Sequence, residues 1–138
     1  MSAKDFFDTN ILIYALAKDD PRSVQAEELL AAGGLISVQI LNEFASVARR
    51  KMSMSWHEIT EALGAIRVLC PSPLPITMET HEVALRVAQN YGYGVYDALV
   101  IAAALEVGCK TLYSEDLRDG QTIDQQVTIR NPFARSSG

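Results

Sequence analysis

The chain has 138 residues, of which 49% are hydrophobic and 21% charged, and its formal net charge is −5. This length suits one domain, and the composition excludes a disordered or collagen-like chain. We expect one domain over residues 1–133, a disordered tail over 134–138 and no membrane span, because no apolar stretch is long enough. The start of the chain lacks the pattern of a secretory signal, and Cys70 and Cys109 lack metal-binding spacing, so we expect a cytoplasmic protein with reduced, buried cysteines.

The first half of the chain predicts two strands, each followed by a pair of helices. The sequence Asp-Asp-Pro at residues 19–21 separates the first two helices, because proline disfavours helical backbone in the residue before it. Gly33 and Gly34 end the second helix, and a capping-box pattern at 55–58 opens the fourth. The predicted elements are a strand over 4–7, helices over 11–18 and 22–32, a buried strand over 35–37, and helices over 38–51 and 55–69.

The second half continues the same alternation. Prolines at 71, 73 and 75 exclude a helix there and allow only a strand fragment at a sheet edge. The predicted elements are that fragment over 74–77, helices over 78–91 and 95–107, a strand over 110–114, a turn over 116–120 and a strand over 126–130. The order predicts an α/β fold, with a mainly parallel central sheet flanked by helices in an α/β/α arrangement. Ligands of such sheets bind outside the carboxyl ends of the strands.

Two acidic residues of the first half lie near predicted strand ends. Asp8 follows the first strand directly, where an aspartate is also a common helix cap. Glu43 lies on the polar arc of the helix over 38–51, one to two turns beyond the second strand. A solvated surface glutamate is the alternative interpretation of Glu43.

Acidic residues of the second half complete the set. Asp97 lies in a helix that is apolar on every face, which predicts a buried carboxylate in need of a cation; a capping interaction within 92–96 is the alternative. Asp116 and Asp119 follow the strand over 110–114, and either one is also a typical turn residue.

Carboxylates from four separate segments, if they converge, repel one another unless divalent cations bind between them. Oxygen ligands favour Mg²⁺ or Mn²⁺. Because these acids account for most of the net charge, the acidic composition remains compatible with a polyanionic substrate. The basic run Arg49, Arg50 and Lys51 could contact a phosphate backbone, although a solvated helix end is the simpler interpretation.

Four segments, in chain order, resemble motifs of the PIN-domain ribonucleases. They are FDTNIL at residues 7–12, ILNEF at 40–44, YDALVIAAA at 96–104 and LYSEDL at 112–117. The last motif departs from the family pattern, since Ser114 stands where threonine is commoner and Glu115 is added. The length resembles that of the VapC-type toxins of toxin–antitoxin pairs.

This resemblance implies a metal-dependent endoribonuclease, in which one or two Mg²⁺ or Mn²⁺ ions activate water to hydrolyse RNA. Thr9 or Asn10 would orient Asp8 and the substrate, and Asp119 would bind metal through water. The residues implied as catalytic and metal-binding are Asp8, Glu43, Asp97 and Asp116, with Thr9, Asn10, Ser114 and Asp119 in support.

The resemblance also implies a homodimer that is silenced by a cognate antitoxin protein. We expect the helices over 22–32 and 38–51 to leave a groove beside Glu43 for a segment of that partner.

Other protein classes share parts of this pattern. A haloacid-dehalogenase-like phosphatase needs a second aspartate two positions after the first, where this chain has Asn10. A receiver domain needs a lysine before a late proline, and Asn131 precedes Pro132 here. The remaining alternative is a degenerate PIN domain acting as a non-catalytic RNA- or protein-binding module. The four acidic residues argue against it, because a scaffold has no need to hold repelling charges together.

Overall fold

The computed structural model describes residues 5–133. Lys4, the first residue of the predicted opening strand, and the predicted tail over 134–138 lie outside the described residues. The elements of the described part are β1 (Phe6–Phe7), α1 (Thr9–Leu16), α2 (Ser23–Ala31), α3 (Val38–Lys51), α4 (Trp56–Leu69), α5 (Met78–Tyr91), α6 (Val95–Val107), β2 (Thr111–Tyr113), β3 (Thr122–Ile123) and β4 (Val127–Arg130).

The strands form one sheet in the order β1-β2-β4-β3. β1 pairs with β2, and β2 with β4, in parallel, whereas β3 pairs with β4 in an antiparallel hairpin. The prediction of an α/β fold with a mainly parallel sheet is therefore confirmed. β3 was not predicted, because its two residues are too few for an alternating pattern. Its hairpin turns through Asp124 and Gln125, both with positive φ.

The segments predicted as strands over 35–37 and 74–77 make only single bridges. Leu35 bridges Phe6, and Ser37 bridges Leu74, both in parallel, so these residues extend the sheet beyond β1. The prolines around Leu74 cannot donate to a ladder, which limits the pairing at this edge. The predictions were right about position and wrong about the length of the strands.

The core lies between this sheet and the helices. Phe6, Phe7 and Leu112 on the parallel strands and Phe44 on α3 are at most 1% exposed. α6, which is apolar on every face, buries a central segment that includes Val100–Ala104 and packs mainly against α5. Both cysteines are buried, as predicted. In the described part of the chain, no helix has the length and apolar character needed to cross a bilayer.

The two helices before α3 differ in detail from the prediction. α1 begins at Thr9 instead of 11, because Asp8 is its N-cap. α2 spans Ser23–Ala31 instead of 22–32, and its Val24 is 65% exposed. The inner face is formed by the small Ser23 and Ala26 together with Leu30, which let α2 pack closely against α1.

Candidate active site

Asp8 lies at the carboxyl end of β1, where its backbone N–H donates a hydrogen bond to the carbonyl of Tyr113 at the end of β2 (2.9 Å). The side chain is buried, and both of its oxygens are engaged. Oδ1 accepts from the backbone N–H of Thr9 (2.7 Å), and Oδ2 accepts from the Ser114 hydroxyl (2.7 Å). Asp8 therefore acts as a helix cap and also presents its carboxylate to the strand ends, so the two interpretations of this residue are compatible.

Burial raises the pKa of Asp8 to about 6. The hydrogen bonds from Ser114 and Thr9 favour the charged form and lower the pKa, whereas the carboxylates of Glu43 and Asp116 raise it. A carboxylate this strongly disfavoured by burial and by neighbouring charge is stabilised by any cation that binds beside it.

Glu43 projects from the first half of α3 and is half-buried. Its Oε2 accepts a hydrogen bond from the Thr9 hydroxyl (2.9 Å), and its Oε1 accepts from the Gln39 amide one turn earlier in α3 (3.2 Å). A solvated surface glutamate would not be held at both oxygens, so the structure favours the interpretation of Glu43 as a site residue.

Asp116 lies in the loop after β2, and Ser114 and Asn10 hold this loop. The Ser114 hydroxyl accepts from the backbone N–H groups of Asp116 and Leu117 (3.2 Å each). The Asn10 amide donates to Asp116 Oδ2 (3.4 Å), and its carbonyl accepts from the N–H of Glu115 (3.2 Å). The side chains of Thr9 and Asn10 thus orient Glu43 and Asp116, whereas Thr9 contacts Asp8 through its backbone N–H.

Asp97 lies in the first turn of α6 and is exposed, so the expectation of a buried carboxylate was wrong. The buried part of α6 begins one residue later, at Ala98, because the first turn reaches the molecular surface. Gly94 is the N-cap and no side chain caps this helix, which also removes the capping alternative. Although the side chain is exposed, partial loss of its hydration raises the pKa of Asp97, and the negative charges of Asp116 and Glu43 raise it further.

These four carboxylates line one cavity of about 310 Å³ at the carboxyl ends of β1 and β2. Lys51, from the end of α3, and Tyr14, from α1, contribute to the same wall. Within residues 5–133, no three His, Cys, Asp or Glu side chains approach closely enough to enclose a metal ion. The donor set nevertheless fits Mg²⁺ or Mn²⁺ chemically, since carboxylate oxygens are hard ligands and the four carboxylates outnumber the one lysine of the cavity lining.

Other residues singled out from the sequence lie outside the cavity. Asp119 accepts a hydrogen bond from the backbone N–H of Asn131 (2.9 Å), so it supports the turn before β3. Arg49 donates to the carbonyl of Met54 (3.0 Å) and covers the ring of Trp56 at 4.8 Å from its centroid. Of the basic run at 49–51, the cavity lining includes Lys51 and neither arginine.

Sequence reasoning missed a network beside the cavity. The Arg22 guanidinium lies 3.8 Å above the ring centroid of Tyr14 and forms ion pairs with Glu115 (2.9 Å) and Asp20 (2.7 Å). Tyr14 also donates to Glu115, and burial raises its pKa to about 12. The sequence signal for this network was the i, i+4 spacing of Asn10 and Tyr14. This spacing places both side chains on the face of α1 that contacts Glu115.

An apolar groove lies elsewhere than expected. It has a volume of about 290 Å³ and lies between α1, α2 and α4. Glu43, beside which the groove was expected, does not line this apolar groove, and α3 contributes no residue to its lining. The lining includes Leu12, Leu30, Ala65, Ile66 and Leu69, with Lys18 and Glu27 forming an ion pair at its rim.

The chain is thus an α/β domain with an acidic cavity at the carboxyl edge of a mainly parallel sheet, and a comparison of sequences assigns the family. The PIN domain family model matches residues 6–120, so the chain belongs to the PIN domain family. No curated protein sequence matches the chain significantly.

Three solved structures have a similar fold. A toxin–antitoxin complex from Klebsiella pneumoniae has 23% identity and a TM-score of 0.70 over 96% of this chain and 98% of that one. VapC20 of Mycobacterium tuberculosis, described as a sarcin–ricin loop cleaving toxin, has 20% identity and a TM-score of 0.67 over 81% and 91% of the two chains. VapBC2 from Rickettsia felis, bound to a promoter DNA fragment, has 20% identity and a TM-score of 0.64 over 92% and 97%.

Proposed function

We propose that this protein is a metal-dependent endoribonuclease and the toxin of a toxin–antitoxin pair. The observation that carries the proposal is the convergence of Asp8, Glu43, Asp97 and Asp116 on one cavity from four separate segments of the chain. Membership in the PIN domain family supports it. The similar fold of VapC20, a toxin described as cleaving the sarcin–ricin loop, supports RNA as the substrate.

The four carboxylates would hold one or two Mg²⁺ or Mn²⁺ ions. Such a cation supplies Lewis-acid stabilisation of the phosphate and lowers the pKa of water. The residues of this chain hold the ligands in place beforehand. Ser114 and the N–H of Thr9 fix the two oxygens of Asp8, and the Thr9 hydroxyl fixes Glu43. Lys51 adds a positive charge to the cavity wall, where a substrate phosphate would bind.

Cleavage of labelled single-stranded RNA by the purified protein tests the proposal. We expect cleavage in Mn²⁺, loss of cleavage in EDTA, and at least a roughly 100-fold loss in Asp116→Asn, because one removed carboxylate weakens the cation site. The matched control is Asp19→Asn, which removes an exposed carboxylate from the loop between α1 and α2 and should retain activity within about twofold.

Two results would contradict this function. Cleavage that persists in EDTA or in Asp116→Asn would mean that a contaminating ribonuclease or another site is responsible. RNA binding with no cleavage in Mn²⁺ or Mg²⁺ would favour the alternative of a degenerate PIN domain that acts as a binding module.

The antitoxin would bind the apolar groove between α1, α2 and α4. A groove lined by leucine, isoleucine and alanine side chains fits the apolar face of an amphipathic segment. The similar folds seen in toxin–antitoxin complexes from Klebsiella pneumoniae and Rickettsia felis support a partner of this kind. The homodimer remains a prediction, and light scattering of the purified protein tests it.

Coexpression with the product of the adjacent open reading frame tests the partner. We expect a stable complex with suppressed nuclease activity. Ala65→Glu, which places a charge in the groove, should weaken the complex at least about tenfold, since a buried unpaired charge is costly. Val68→Glu is the matched control, because Val68 lies on the same helix, is 78% exposed and does not line the groove. Equal affinities of the two variants would contradict this binding site.

A further inference from the structure

An exposed aromatic ring lies directly beside the carboxylate cavity. Tyr96 precedes Asp97 in the first turn of α6 and is 68% exposed. It lines a second, open cavity of about 410 Å³, whose other wall is the polar face of α3. Glu43 lines both cavities, so the second one adjoins the carboxylate site.

The α3 wall of this second cavity carries hydrogen-bonding groups in a row. Gln39, Asn42 and Ser46 line it together with Glu43, at spacings that place them on one face of the helix. The Gln39 amide N–H₂ group donates to Glu43, which leaves its carbonyl oxygen as an acceptor, and the exposed Asn42 offers both a donor and an acceptor.

A positive charge follows one turn further along α3. Arg50 is exposed, and its Nε donates to the Ser46 hydroxyl (3.1 Å), which directs the guanidinium along the same face. Glu43 and Arg50 are seven residues apart, which corresponds to about 10 Å along a helix. The wall thus runs from two amides through a carboxylate and a hydroxyl to a cation.

Aromatic faces, amide edges and a nearby arginine are the groups with which proteins bind unstacked nucleobases and the backbone that carries them. The four carboxylates of the cavity outnumber its one lysine, Lys51, and repel phosphate when no cation is bound, so much of the affinity for RNA has to come from groups outside the cavity. Tyr96 is the large exposed aromatic side chain that borders this cavity system, and its exposure shows that packing of the core does not require the ring.

We propose that Tyr96 is a stacking platform for one nucleobase of single-stranded RNA next to the cleaved phosphate. Gln39 and Asn42 contact the edge of that base, and Arg50 contacts the backbone beyond it. This inference rests on the proposed ribonuclease function and adds to it a subsite for the substrate.

Binding of a fluorescein-labelled 12-nucleotide single-stranded RNA of mixed sequence, measured by anisotropy in EDTA, tests the subsite without cleavage. Tyr96→Ala should raise the Kd about 5- to 100-fold, because the stacking contact with one base is lost. Tyr96→Phe keeps the ring and should bind within about twofold of wild type. Met78→Ala is the control, since it removes another large, 71% exposed side chain, from α5. In Mn²⁺, Tyr96→Ala should raise KM and change kcat much less.

Several outcomes would overturn the subsite. They are wild-type affinity in Tyr96→Ala, an equal loss in Tyr96→Phe, and no binding of the probe by the wild type at low salt. A lower molar mass of Tyr96→Ala in light scattering would assign this surface to contact between two copies of the chain instead. Because binding is measured without metal, these results are separate from failure of the proposed function, which would appear as no cleavage by the wild type in Mn²⁺.

Discussion

Removal of one hydroxyl, in Ser114→Ala, should destabilise the base of the carboxylate cavity. Ser114 is fully buried, and its oxygen donates to Asp8 and accepts from the backbone N–H groups of Asp116 and Leu117. Alanine leaves the buried Asp8 carboxylate without the hydrogen bond from the Ser114 hydroxyl. It also leaves the backbone N–H groups of Asp116 and Leu117 without this acceptor. A hydrogen bond to a charged group contributes about 1.5–3 kcal/mol, so with the lost backbone contacts we expect a total loss of about 3 kcal/mol at pH 7.

The loss should depend on pH, because Asp8 changes its charge. The folded-state pKa of Asp8, about 6, lies above its ordinary value of 3.8, so its neutral form is favoured by folding. The stability from this group is present below pH 4 and is lost as the pH rises through 6. Ser114→Ala removes the hydrogen bond that lowers this pKa most. In the variant, the stability contributed by neutral Asp8 should therefore continue to fall at pH values above 6. At pH 4.5, where Asp8 is mostly neutral in the folded state, the destabilisation should fall to about 1–2 kcal/mol.

Urea unfolding followed by far-ultraviolet circular dichroism at pH 4.5 and pH 7 measures both values. Ser23→Ala is the control, because Ser23 is also buried but donates only to the neutral carbonyl of Ala15 (3.4 Å). Its cost should be about 1 kcal/mol or less and the same at both pH values. An equal destabilisation of Ser114→Ala at the two pH values would refute the assignment of the effect to the charge of Asp8.

Two further predictions concern the site and the sheet edge. Asp97→Asn should abolish cleavage while the melting temperature without metal stays equal or rises slightly, because repulsion from Asp116 and Glu43 is relieved; Mn²⁺ should raise the melting temperature of the wild type more than that of the variant. A large drop in the melting temperature of the metal-free variant would instead indicate a structural role. Gly34→Ala should destabilise by about 1–3 kcal/mol in urea unfolding, because strain is introduced into a packed region. Its Cβ would lie 2.3 Å from the Phe7 ring, and unchanged stability would mean that the ring moves freely.

The sequence predicted those elements that local interactions determine. α3, α5 and α6 occupy the residues expected, because their ends depend on groups within a few positions of one another. The capping box of α4 joins Ser55 and Glu58, three residues apart. Gly92 caps the end of α5 and Gly108 the end of α6, each with the left-handed backbone that glycine adopts readily. The PIN family was recognised for a related reason, since its motifs are short and contiguous.

Long-range packing decided what the sequence pattern did not predict. No local signal distinguishes a first turn at the surface from the buried remainder of α6, so the exposure of Asp97 was missed. The position of the apolar groove depends on which helices pack against α1, and helix periodicity does not specify the neighbour. The pairing of Arg22 with Glu115 joins residues 93 positions apart.

The chemical character of the candidate site is present in the sequence, as acidic residues that follow predicted strands. The geometry of the site is not present in the sequence pattern, because this geometry requires β1 to lie beside β2 in parallel. That pairing brings the Ser114 hydroxyl to Asp8 across 106 positions of sequence, and the Thr9 hydroxyl reaches Glu43 across 34. Patterns of hydrophobicity and capping record which residues are buried and where helices end. Only the tertiary fold determines which carboxylates share a cavity, because their distances are set by the packing of segments that have no local contact.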